Sequence, residues 1–288
     1  MLEKGILVTG ATGYIGCKVI HELKERGYKV HAVVRDASST ANLAKICIHQ
    51  YESNFKSLNK IFKSCKIDYV IHLAAWSGFV HNSRDIDNIL DSNIKFGTHL
   101  VQAMIENDCN KIINTGTFWQ HNEDETYFPN SLYAASKQAF CAIIDYYSLH
   151  HSLSAITLKL FDVYGTGDSR GKIFSALEKA YKEGEPLEMT EGKQCLCLTY
   201  IDDAVDAYVA ALDLLGKAGH KIYSVAKKAV PLRDIVQIYL QTSGREIDIK
   251  WGLKPYRKGQ IMQPYIGDAL PGWKQQVDLV EGIKKIIS

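Results

Sequence analysis

The run Ile6-Leu7-Val8-Thr9 passes directly into Gly10-Ala11-Thr12-Gly13-Tyr14-Ile15-Gly16, and an amphipathic stretch to Glu25 follows. Glycines in the spacing G-x-x-G-x-x-G permit a tight turn, let backbone approach a bound group and bring a helix close to a strand. A helix beginning there offers its unpaired N–H groups to phosphate. Three glycines alone also occur in ordinary strand–helix turns. At the first strand–helix junction of an alternating chain they predict a dinucleotide site, with Gly10, Thr12, Gly13, Tyr14, Ile15 and Gly16 as its contacts.

The alternation continues. Val30–Val34, Tyr69–Ala74, Ile112–Asn114 and Ile156–Leu160 read as strands, and Leu58–Lys63, Ile86–Glu106 and Leu132–Leu149 as helices. Continuous apolar strands between helices predict an α/β fold of the Rossmann type, a doubly wound parallel sheet covered on both faces. After the glycine-rich loop Tyr164–Gly171 the elements shorten. This predicts a dinucleotide-binding domain over 1–165, rejoined by 195–225 through a helix at Ile201–Leu215, and a smaller substrate-binding region over 166–194 and 226–288.

The second strand ends Val33-Val34-Arg35-Asp36. An acidic group at that tip would bind the ribose hydroxyls of NAD, whereas an arginine favours the 2′-phosphate of NADP. Valine at the acidic position and Arg35 beside it predict NADP(H). A merely solvated Arg35 is the plainer reading, and Asp36 leaves NAD(H) open. A net charge of +2 gives no nucleic-acid footprint. Seven cysteines without a C-x-x-C pair predict free thiols in a reducing cytoplasm and no metal centre. The charged, then glycine-rich N-terminus is unlike a signal peptide, and no apolar run reaches membrane-spanning length.

Tyr-x-x-x-Lys occurs three times, where random placement of 16 Tyr and 27 Lys yields about 1.5 pairs, so context must choose among them. Tyr14 lies in the glycine loop and Tyr223 in a late strand. Only Tyr133 opens a helix behind a start signal, Pro129-Asn130-Ser131, which sets Lys137 one turn on along the same face. Upstream, Asn114-Thr115-Gly116-Thr117-Phe118-Trp119-Gln120 ends a strand, where a hydroxyl reaches the carboxyl edge of the sheet.

In this arrangement the chain resembles the extended short-chain dehydrogenase/reductases acting on nucleotide sugars, whose strand-end signature is S/T-x-x-V-Y-G. That register makes Thr115 the catalytic hydroxyl, with Thr117 second. The resemblance extends through Val70–Ala75 (VIHLAA), Asn93–Thr98 (N-x-x-x-G-T), Phe161–Gly165 (FDVYG, with Asp162 in place of asparagine), Tyr200–Asp203 (YIDD) and Gly272-Trp273. It implies that Leu73, Ala74, Ala75, Asn93 and Phe161 join Arg35, Tyr133 and Lys137 around the cofactor. Family members that dehydrate sugars carry Asp-Glu after the catalytic threonine; Gly116 and Thr117 stand there, so dehydration is not expected. Trp119-Gln120, FDVYG and DSRGKIF most resemble the CDP-abequose and CDP-paratose synthases, which reduce a CDP-linked 4-keto-3,6-dideoxyhexose.

The resemblance implies Tyr133 as proton donor, Lys137 easing its ionisation and holding the nicotinamide ribose, and Thr115 orienting the carbonyl. It places the reaction in deoxysugar, O-antigen and lipopolysaccharide synthesis, and homodimers through paired helices are common among these enzymes. Lys172, Arg233 and Arg257 are candidates for the substrate diphosphate, each equally readable as a solvated charge. Ser77, Trp119 and Gln120, with Trp76, are candidates for lining the sugar, against core packing for the tryptophans. An NADPH-dependent 4-ketoreductase is expected first, then an epimerase retaining NAD, then a non-catalytic NADP sensor.

Overall fold

Every residue of β1 (Gly5–Thr9) is buried, as a strand covered on both faces requires. The computed structural model describes residues 4–35, 40, 43, 46–78 and 81–288; Asp36 lies outside them. The first half continues with α1 (Tyr14–Glu25), β2 (Lys29–Val34), β3 (Cys47–Gln50), α2 (Phe55–Ser64), β4 (Tyr69–His72), α3 (Asp85–Leu90), α4 (Phe96–Ile105), β5 (Lys111–Thr117), α5 (Leu132–His150) and β6 (Ser154–Leu160). The second half carries β7 (Asp162–Tyr164), α6 (Ile173–Glu183), β8 (Leu187–Met189), β9 (Cys195–Leu196), β10 (Leu198–Tyr200), α7 (Ile201–Leu214), β11 (Gly219–Val225), β12 (Val230–Pro231), α8 (Leu232–Ser243), β13 (Ile249–Trp251) and α9 (Leu279–Ile287).

Seven parallel strands form the central sheet in the order β3-β2-β1-β4-β5-β6-β11. The chain winds outward from β1 to β3, then crosses back to β4. The resulting switch point opens a crevice at the carboxyl ends of β1 and β4. One core lies on the side of α1 and α7 and continues into α6 and α8; the other joins α2, α4 and α5 to the opposite face. The expected doubly wound sheet is therefore present, and β7–β10, β8–β13 and β9–β12 make three small two-stranded sheets beside it.

Several boundaries differ from expectation for local reasons. The expected helix 86–106 is helical from Asp85 to Ile105 but carries a π-turn at Asp91–Lys95, a widening that often marks a functional position. β5 continues through Thr117 because Thr115, Gly116 and Thr117 pair with Leu158, Lys159 and Leu160 of β6. β4 ends at His72 and leaves Leu73–Trp76 as irregular chain crossing the glycine turn. β3 has no apolar signature because it is the exposed edge strand.

Candidate active site

The glycine turn is held by close backbone packing. Gly10 has φ +68°, and a Cβ there would lie 2.7 Å from the Ala74 nitrogen. A Cβ at Gly16 would lie 2.1 Å from the Gly10 carbonyl oxygen, so α1 can seat on the turn only with glycine. Gly13 caps α1 without a side-chain acceptor, which leaves the first-turn N–H groups for a bound anion. Above them is a cavity of about 400 Å³ bordered by Gly10–Gly13, Val33–Arg35 and Leu73–Trp76. Thr12, Arg35 and Ala74 border this cavity, and so does Trp76.

A second cavity of about 460 Å³ shares Gly10, Gly13, Leu73 and Ala75 with the first. Tyr14, Ile15, Gly16, Ser77 and Phe161 border it, and Thr115, Trp119 and Tyr133 come together on its wall. Thr115 is carried by β5 in register with Leu158. Ser131 caps α5 by accepting from the Ala134 N–H at 3.2 Å, which fixes Tyr133 in the first turn. The Trp119 ring stands edge-on to Tyr133, centroids 6.0 Å apart. Lys137, one helical turn on, is 1% exposed and borders neither cavity. A third cavity of about 750 Å³ continues past Trp119 along Asp162–Ala176 to Arg257.

Electrostatics follow from burial. It pushes the Tyr133 phenol up to about 12, so Tyr133 is protonated at neutral pH. Burial also pushes the Lys137 ammonium down to about 8. Burial alone accounts for the upward shift of the phenol.

Besides Lys137, three assigned residues border none of these cavities. Asn93, 1% exposed, does not border the cleft. Its carboxamide accepts from the Trp76 N–H at 2.8 Å and donates to the Trp76 carbonyl and Ser136 Oγ, both at 2.9 Å. Ser136 donates to the Tyr133 carbonyl at 2.7 Å, so Asn93 clamps the β4 exit to α5 and contacts no cavity itself. Gln120 is fully buried and turned inward. It accepts from the Thr117 N–H at 2.9 Å and donates to Gln138 at 2.7 Å, closing the turn Phe118–Gln120 from behind. Arg233 is outside the cleft: its Nε donates to the Glu191 carbonyl at 2.6 Å and its guanidinium covers Trp251. Lys172 does border the third cavity and is ion-paired with Asp162 at 3.5 Å.

Two contributors escaped the sequence reading. Arg170 borders both outer cavities, with its guanidinium 4.5 Å from the Tyr14 ring centroid and bonded to Asp168 at 2.6 Å. The DSRG segment held that signal. Tyr208 of α7 meets the Thr115 hydroxyl at 2.8 Å across 93 positions of sequence, a separation without a local signal.

Among the described residues, His31, His49 and Cys65 bring metal-ligating atoms within 4.8 Å of one another. The imidazoles hydrogen-bond each other at 3.0 Å, and a metal on His31 Nδ1 would leave a buried Nε2–H without an acceptor. This cluster does not border the three cavities. All seven cysteines are unpaired, and no helix among the described residues is long and apolar enough to cross a membrane.

Comparison with known proteins bears on the fold and the family. Over 100% of its length the chain is 28% identical to the CDP-abequose synthase of Salmonella muenchen, covering 98% of that protein. The UDP-glucose 4-epimerase of Thermotoga maritima, solved with UDP-glucose, has the same fold, with TM-score 0.87, 23% identity and coverage of 98% of this chain and 97% of that one. The UDP-glucuronic acid 4-epimerase of Bacillus cereus, solved with UDP-glucuronic acid and NAD, gives a TM-score of 0.85 at 23% identity and the same coverage. Residues 6–226, from β1 to the end of the central sheet, match the sequence pattern of a single family, and the chain belongs to the NAD dependent epimerase/dehydratase family.

Proposed function

We propose that this protein reduces the 4-keto group of a nucleotide-activated deoxyhexose, CDP-linked, with NADPH as reductant. The observation carrying the proposal is that Thr115 and Tyr133 share the wall of a cavity continuous with the glycine-turn cavity. The full-length similarity to a CDP-abequose synthase supports the substrate class. Gly116 and Thr117 after Thr115 argue against dehydration, and Arg35 at the β2 tip favours the 2′-phosphate.

The residues present fit a dinucleotide: added Cβ atoms at Gly10 and Gly16 would fill the cradle, and α1 begins uncapped. Gly10–Gly16 would hold the pyrophosphate, Arg35 the 2′-phosphate, and Leu73–Ala75 with Phe161 the nicotinamide side. When bound, the nicotinamide supplies a hydride to the sugar carbonyl carbon. Tyr133, protonated across the working pH range, gives its proton to the oxygen as negative charge develops there. Thr115 hydrogen-bonds the same oxygen and orients it. Lys137, cationic below about pH 8, stabilises the phenolate left behind. Ser77, Trp119, Lys172 and Arg257 border the sugar-nucleotide end. In this reading 1–165 with 195–225 form the dinucleotide-binding unit, and 166–194 with 226–288 cover the substrate.

The second reading, an epimerase retaining NAD, is favoured by the NAD in the solved UDP-glucuronic acid 4-epimerase. Stoichiometry separates the two. A CDP-4-keto-3,6-dideoxyhexose should oxidise NADPH one-for-one. Conversion of UDP- or CDP-hexoses to their epimers without added cofactor, and with no net oxidation, replaces the reductase by the epimerase.

A further inference from the structure

Thr115 has one hydroxyl proton, and the reaction needs that proton aimed at the reacting oxygen. Along β5, Ile113 packs into the core shared with α7 and Ile112 into the opposite one. The pleat therefore turns Thr115 toward α7, where Tyr208, 0% exposed, meets it. The two hydroxyl oxygens are 2.8 Å apart, so one proton lies between them.

Which proton lies there follows from satisfaction. Among the described residues, Tyr208 has Thr115 as its hydrogen-bond partner. If Thr115 donated to Tyr208, the phenolic O–H would stand in a dry core without an acceptor, and Thr115 would offer the cavity lone pairs alone. If Tyr208 donates, both hydroxyls are satisfied and the Thr115 proton is left for the cavity that Thr115 borders. Burial among apolar neighbours raises the Tyr208 pKa, which keeps the donor protonated throughout the physiological range.

We propose that Tyr208 is a positioning residue that donates to Thr115 and thereby fixes the Thr115 hydroxyl as a donor toward the reacting carbonyl oxygen. This rests on the reading of Thr115 given above. It also carries a selectivity: a Thr115 held as a donor accepts an oxygen lacking a proton, a ketone or nascent alkoxide, in preference to a hydroxyl that must itself donate.

A double-mutant cycle tests it, with Tyr208→Phe, Thr115→Val and the pair assayed on the nucleotide sugar that the wild type turns over. Tyr208→Phe removes one oxygen and should lower kcat by about tenfold with KM nearly unchanged, the scale of one oriented hydrogen bond. In the Thr115→Val background the same change should cost nothing further, and Thr115→Ser should restore the dependence on Tyr208. Thermal unfolding of each variant monitors folding, since a merely structural hydroxyl would shift Tm without splitting kcat from KM. Multiplicative losses in the double mutant, or wild-type kcat in Tyr208→Phe while Thr115→Val is slow, overturn the positioning role alone. Wild-type turnover in Thr115→Val overturns the reading of Thr115 and this proposal with it.

Discussion

At the β1–α1 end of the cleft the shape is made by main chain: Gly10 and Gly16 sit where any Cβ would collide with neighbouring backbone, and the uncapped helix start presents N–H groups. At the β7–α6 end it is made by long charged side chains already engaged with partners, Arg170 with Asp168 and Lys172 with Asp162. The first end is legible in the glycine spacing, a local property, although the backbone that Gly10 must clear, at Ala74, comes from the exit of β4. The second depends on pairs whose partners and exposure follow from how loops fold over the sheet. The wall bearing Thr115 and Tyr133 lies between, and joins both kinds: the Tyr133–Lys137 helical spacing is local, whereas the meeting of Tyr133 with Thr115 is not.

The largest effect belongs to that wall. Tyr133→Phe should lower turnover by roughly 10²-fold or more while cofactor affinity stays near wild type, the consequence of losing a positioned acid. Near-normal turnover would remove Tyr133 from its role and leave the cleft a binding site.

Next is the backbone-made end, where the proposal assigns the choice of cofactor to Arg35. Arg35→Ala should weaken NADPH by about 1.5–3 kcal/mol and leave NADH almost untouched, as loss of a charged hydrogen bond predicts. Titration of both cofactors checks this; equal losses would make Arg35 a solvated charge after all.

The buried lysine gives a pH test. Unfolded, Lys137 titrates near the ordinary lysine value of 10.5, and folded at about 8. Between those values the unfolded chain binds the extra proton, so the contribution to stability rises with pH; below about pH 8 the full cost of burying the cation is present. Relative to Lys137→Met, the cofactor-free wild type should gain on the order of 1–3 kcal/mol from pH 8 to 10.5. Parallel stability curves for the two proteins would show that Lys137 is not buried as a cation.

The smallest effect contrasts a cation that borders the third cavity with one that lies outside the cleft. Lys172→Ala should raise KM for the nucleotide sugar about threefold to tenfold with little change in kcat, a modest loss because the site is partly solvated. Arg233→Ala removes the same charge but should leave KM alone, its guanidinium being committed to Glu191 and Trp251. A larger KM effect at Arg233 would move the substrate path toward α8.

Much of this molecule was legible without coordinates, and for one reason. Strand–helix alternation, the glycine turn, the Ser131 cap and the Tyr133–Lys137 pair depend on residues within about one turn or strand of each other, where periodicity acts directly. The resemblance to CDP-abequose synthases rested on short motifs of this kind and agrees with the full-length similarity. Thr115 was found through its motif and not through its surroundings. The exposed edge strand β3 left no apolar trace. Asn93 and Gln120 were read as contacts because each is itself a motif position, yet each satisfies buried backbone and side-chain groups behind the cleft.

The sequence by itself determined the βα alternation, the phosphate-cradling turn and which tyrosine and lysine share a helix face, because each is a property of neighbouring residues and their backbone freedom. Tertiary structure decided the rest. It brought Thr115 against Tyr208 across the sheet, spread Arg170 over Tyr14, drew Asn93 into a clamp and sent Arg233 away from the cleft. Those outcomes depend on which polar groups are left without water when the layers close, and on which distant partner is within reach to satisfy them.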